Sequence, residues 1–156
     1  MRIDDMTKQK REFNGFCLCG AVVFKIRIDE INTIYRCFCS LCWQQSGAVS
    51  NTATLIKTNL FDWEKGQQLI QTYKKETGFT SSFCKLCGSP VPNTLTSDPN
   101  VMWIPLGLLQ ENFIPTHELN FCINSKQDWS TVHHQPLCFD ELPDRSDFNN
   151  YFQLNE

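Results

Sequence analysis

"FCKLCGSP", residues 83–90, sets two cysteines at C-x-x-C spacing with a glycine directly behind them. That glycine permits the tight turn needed to bring the sulfurs of Cys84 and Cys87 onto one ion. Two thiolates make half of a tetrahedral zinc site, so the segment predicts a second pair elsewhere. "FCLCG", residues 16–20, supplies one. In an extended backbone residues i and i+2 face the same way, so Cys17 and Cys19 can aim at one metal. Joined, the four cysteines would close a structural site binding the start of the chain to its middle, worth on the order of 10 kcal/mol to the fold.

A third cluster has a different form. "CFCSLCWQQSG", residues 37–47, overlaps C-x-C and C-x-x-C at Cys39, so Cys37, Cys39 and Cys42 offer three thiolates from one short loop. Structural zinc sites normally take four protein ligands, and catalytic ones keep a position for water or substrate. The spacing alone is compatible with an incomplete structural site, an open reactive one, or no site. His117, His133 and His134 are distant in sequence and would complete it only by folding back. Cys122 and Cys138 have no partner at ligand spacing and read as small core residues, as do Trp43, Trp63, Trp103 and Trp129 among the large ones.

Composition narrows the class. The chain has 156 residues, enough for one domain with its own core. Its 14 basic and 17 acidic residues are interspersed and give a net charge of -3, so no basic block tracks a phosphate backbone and no nucleic-acid partner is expected. The polar start, "MRIDDMTKQKREFNG", lacks the apolar stretch of an export signal, and nothing later approaches the roughly 18 apolar residues of a membrane span. A soluble, cytoplasmic protein is expected. In a reducing compartment nine cysteines point to metal or thiol chemistry rather than disulfides.

The remaining sequence reads as strands. "AVVFKIRI", residues 21–28, puts Val22, Phe24, Ile26 and Ile28 on one face, with Val23, Lys25 and Arg27 on the other. "AVSNTATLI", "QQLIQTYK", "VMWIPLGLL" and "HELNFCIN" are similarly short and are separated by Gly, Pro, Asn or Asp. The expectation is a mainly β domain over residues 13–142, preceded by a polar lead at 1–12 and followed by a polar tail at 143–156 holding at most a short helix. "SLCWQQSG" predicts one helical turn ending at Gly47.

Taken in order, "GFCLCGAVVFKI", "YRCFCSLCWQQSGA", "FDWEKGQQLIQTY", "SSFCKLCGSPV", "IPLGLL" and "PTHELNFCINSKQDW" resemble the glutathione-dependent formaldehyde-activating enzyme family, which includes centromere protein V. The resemblance implies several small coiled antiparallel sheets, similar in architecture to methionine sulfoxide reductase B. It implies structural zinc on Cys17, Cys19, Cys84 and Cys87 and catalytic zinc on Cys37, Cys39 and Cys42, two ions per chain. The implied activity is that of a carbon-sulfur lyase acting on S-(hydroxymethyl)glutathione, with a small thiol such as glutathione and an aldehyde as partners. Members often carry His between the first two cysteines of the triple and basic residues after the third, where this chain has Phe38, Trp43 and Gln44. "GFTSS", before Cys84, also lacks the Arg or Lys often found there. Two other readings compete. One is a methionine sulfoxide reductase B-like redox protein with a single zinc on Cys39, Cys42, Cys84 and Cys87. The other is a zinc-stabilised protein-binding module without catalysis.

Overall fold

The alternation in residues 21–28 becomes strand β2 (Val23–Arg27), with Phe24 and Ile26 wholly buried and Val23 and Lys25 half-exposed. The structure is a computed structural model and describes residues 11–132 and 137–155. β2 lies between β1 (Glu12–Phe16) and β5 (Phe61–Lys65) in a three-stranded antiparallel sheet. β6 (Ile70–Lys74) and β7 (Thr80–Cys84) form a hairpin. The largest sheet has five strands in the order β10 (His117–Phe121), β3 (Thr33–Cys37), β4 (Asn51–Lys57), β9 (Asp98–Pro105) and β8 (Asn93–Leu95). The expected set of small sheets is therefore present. The purely antiparallel expectation needs correction, because β10 runs parallel to β3. A parallel partner must arrive by a long crossover, and here the intervening chain builds most of the protein.

Burial on both faces explains the apolar strands of the five-stranded sheet. Ile34, Ile56, Met102 and Ile104 meet Phe13, Phe24, Ile26 and Phe61 of the three-stranded sheet in one core cluster. Tyr35, Leu55, Val101, Leu119 and Phe121 face the opposite way, where helix α2 (Arg145–Phe152) covers them with Phe148 and Phe152. The stretch expected as a polar tail thus carries a packing helix. Asp144 caps it by accepting the Asp147 N–H at 2.9 Å, and the Thr33 hydroxyl donates to the Tyr151 carbonyl at 2.6 Å near its far end. Among the tryptophans, Trp63 packs edge-on against Phe24 and Phe61, and Trp43 and Trp103 are half-buried. Trp129, read as core, is instead 68% exposed. It lies in an irregular segment after β10, with no sheet above it.

Gly15 sits opposite Phe24 in the β1–β2 register, and a Cβ there would come within 2.1 Å of the Phe24 ring. Phe24 is fixed by a stacked Phe61 and an edge-on Trp63, so the ring has nowhere to go. Gly15→Ala is therefore expected to destabilise the protein by about 2–3 kcal/mol, the upper range for overpacking a core. Urea denaturation checks this, the midpoint falling with the slope unchanged; an unchanged midpoint would contradict the packing.

Candidate metal centres

Two short turns build the first cluster. After β1 the chain reverses through Cys17-Leu18-Cys19-Gly20, closed by Gly20 N–H to the Cys17 carbonyl at 2.8 Å. After β7 it reverses through Cys84-Lys85-Leu86-Cys87-Gly88, closed by Gly88 N–H to the Cys84 carbonyl at 2.8 Å. Both glycines have φ in the left-handed region, 75° and 78°, where a side chain would be strained. The turns face each other. Cys19 Sγ is 3.6 Å from Cys17 Sγ and 3.9 Å from Cys84 Sγ, and all four sulfurs lie within 4.8 Å of one another. Sulfurs at 2.3 Å from one tetrahedral zinc lie about 3.8 Å apart, so this donor set fits the ion.

Neighbouring groups favour the thiolate form of two of the sulfurs, Cys17 and Cys87. Ser89 Oγ accepts the Leu18 N–H at 2.9 Å, linking the two turns, and lies 3.4 Å from Cys87 Sγ. Hydrogen bonding from Ser89 holds the Cys87 thiol down to about 6. Cys17 is also lowered: burial opposes ionisation, but the Val22 N–H at 3.3 Å and the adjacent thiols outweigh it. Cys17 and Cys84 are wholly buried against Val22 and Val91, so the cluster is continuous with the core.

The second cluster forms where β3 runs into helix α1 (Ser40–Ser46). Cys37 is the last residue of β3, Cys39 is the cap of α1, and Cys42 lies in its first turn, with its N–H on the Cys39 carbonyl at 3.0 Å. Cys39 and Cys42 therefore stand on one helix face. As expected, the helix stops at Gly47, whose N–H bonds the Trp43 carbonyl at 3.0 Å. The sulfurs of Cys37, Cys39 and Cys42 also lie within 4.8 Å of one another. Bonding from the Cys37 thiol, then from Cys42, pulls Cys39 down to about 2, whereas the same bond and that from Cys42 push Cys37 strongly upward. Crowded thiols that divide into one thiolate and its donors suit a shared cation in place of the protons.

The structure separates the two C-x-x-C pairs into different clusters, so the single site on Cys39, Cys42, Cys84 and Cys87 is not formed. Each pair is committed to the strand-end beside it. His117 does not approach the triple. It pairs with Thr33 at the far end of β3, four residues from Cys37, roughly 13 Å along the strand, and its ring meets Tyr151. His133 and His134 lie outside the described residues.

Cys122 is the residue that sequence reasoning set aside. It is buried, as expected, but its sulfur lies 3.8 Å from Cys37 Sγ. Parallel register aligns Phe121 with Cys37, and a left-handed turn at Cys122, φ 58°, follows at once. No local spacing signals that proximity. Cys138 is exposed rather than core, beside the Asn120 side chain at 3.6 Å.

A cavity of about 490 Å³ opens beside the triple, under α2, and Cys37, Cys39 and Cys42 all line it. Phe38 does not, being 3% exposed in the core behind the loop. A smaller cavity of about 200 Å³ lies on the other side of Cys42, against Gln45, Asn51 and Trp103.

The arrangement defines a β protein with one four-cysteine centre, in which Cys17 and Cys84 are buried and Cys19 is exposed, and one three-cysteine centre at a cavity. A family model described as "Glutathione-dependent formaldehyde-activating enzyme" matches residues 12–124, and the chain belongs to that family. A crystal structure of a Rhodobacter sphaeroides protein has a similar fold, with a TM-score of 0.53 at 21% identity, covering 67% of this chain and 98% of that one. No helix among the described residues is long and apolar enough to cross a membrane.

Proposed function

We propose that the protein is a carbon-sulfur lyase acting on thiol–aldehyde adducts, with one structural and one exchangeable zinc per chain. Cys17, Cys19, Cys84 and Cys87 would hold the first ion, and Cys37, Cys39 and Cys42 the second. The observation that carries this reading is the opening of a three-sulfur, metal-compatible cluster onto a cavity large enough for an organic substrate. Family membership supports the chemistry, a thiol such as glutathione adding to formaldehyde.

In the synthetic direction the thiol sulfur attacks the aldehyde carbon. The new S–C bond forms as the carbonyl π pair moves to oxygen, and the proton lost from the thiol ends on that oxygen; the lyase direction is the reverse. A zinc ion held by Cys37, Cys39 and Cys42 would supply a lowered thiol pKa and polarisation of a carbonyl. The chain's own residues contribute placement. β3 and α1 fix the three sulfurs at one wall, and the cavity would hold thiol and aldehyde together beside them.

The test is exchange NMR with labelled formaldehyde and a thiol. Zinc-loaded protein is expected to accelerate exchange between free aldehyde and adduct. Failure to accelerate it with any thiol tried would leave the non-catalytic zinc module as the better account.

A further inference from the structure

We infer that the thiol served by the three-cysteine centre has an uncharged, apolar body carrying a hydrogen-bond donor, and is not the doubly carboxylated glutathione. The inference rests on the thiol–aldehyde reading above and specifies its substrate class. Leu55, Phe79, Val101, Phe121 and Phe148 supply the walls of the larger cavity. Among the described residues that line it, the charged side chains are Asp98 and Arg145, paired with each other at 3.0 Å. A peptide with two carboxylates entering there would shed its hydration and meet one lining cation, already paired with Asp98.

The smaller cavity extends the same argument. Tyr35, Cys42, Phe79 and Leu95 line both spaces, so a group bound at Cys42 reaches either. Gln45 Oε1 and Asn51 Oδ1 are buried there without a hydrogen-bond partner. An acceptor left unmet in a buried site is costly, so a ligand N–H or O–H is favoured, whereas a carboxylate would meet oxygen against oxygen. Phe79, in the segment before Cys84, stands between the two spaces in place of any cation.

Binding is to be measured on protein reconstituted with cobalt(II), whose thiolate charge-transfer band reports a new sulfur ligand independently of turnover. The probes are glutathione, the neutral and small 2-mercaptoethanol, and a phenylethanethiol bearing an amide. The aryl thiol is expected to shift the band at a concentration at least tenfold below that needed for glutathione, with 2-mercaptoethanol between them. Leu142→Arg, at a cavity-lining residue that is 62% exposed and therefore safe for the fold, is expected to improve glutathione at least threefold and to leave the aryl thiol unchanged. Phe79→Arg is expected to do the same more strongly. Glutathione binding as tightly as the aryl thiol in the unaltered protein would overturn the substrate class and leave the lyase reading intact. No band shift with any of the three thiols would overturn both.

Discussion

Cys84→Ser is expected to leave a chain without a cooperative thermal transition. Cys84 ends β7, is wholly buried, and packs with Cys17, Val22 and Val91 in a small cluster centred on the four sulfurs. That cluster lies where the three-stranded sheet meets the β6–β7 hairpin, with Trp63, Leu69 and Ile70 packed against it. Apparent binding energies of structural zinc sites run about 10–16 kcal/mol, whereas whole domains are stable by about 5–15 kcal/mol. Loss of one of four ligands therefore removes a share comparable to the entire margin. Near-ultraviolet circular dichroism and a melting scan check this, together with zinc content, which should fall at the same time. A variant that melts cooperatively near the temperature of the unaltered protein would show that the four cysteines are ordinary core thiols.

Cys42→Ser is expected to do the reverse, abolishing adduct exchange while the fold survives. The substitution is close to isosteric, and Cys42 is held by α1 and by Tyr35 and Leu55 around it, neither of which depends on its sulfur as a metal ligand. Melting is expected to shift by only a few degrees, the effect of about 1 kcal/mol in a chain of this size. Adduct exchange, in contrast, is expected to drop at least a hundredfold, to the rate in buffer. Cys39→Ser should behave alike, because Cys39 belongs to the same three-sulfur cluster at the cavity. Exchange persisting in both variants would remove the three sulfurs from the chemistry.

Local patterns were sufficient for much of this structure, and distant pairing accounts for what they missed. The alternation at Val22, Phe24 and Ile26 identifies a half-buried strand because side-chain direction in a strand depends only on neighbours. The cysteine pairs are equally local: each C-x-C or C-x-x-C turn brings its own sulfurs together whatever the rest of the chain does. The parallel β3–β10 register is different, since it joins residues such as Cys37 and Phe121 that share no local signal. Cys122 beside Cys37, and His117 away from it, both follow from that register. α2 was hidden in another way. Phe148, Tyr151 and Phe152 are spaced for one helix face, but they stand among Asp, Asn and Glu in a stretch whose mean composition is polar. Phe38 shows the same limit at the site: although it stands between Cys37 and Cys39, it is buried away from the cavity, whose wall comes from β4, β9, β10 and α2.

Zinc stoichiometry, measured together with a map of which cysteines are protected, bears most directly on the division of seven cysteines into a closed and an open centre. Reduced, freshly prepared protein is to be analysed for metal and then alkylated in its native fold, with and without a competing chelator. Two zinc ions per chain are expected, with Cys37, Cys39 and Cys42 becoming reactive first as one ion is withdrawn and Cys17, Cys19, Cys84 and Cys87 staying protected until the protein unfolds. One ion per chain, with Cys17 and Cys19 alkylated while the fold is intact, would contradict the account.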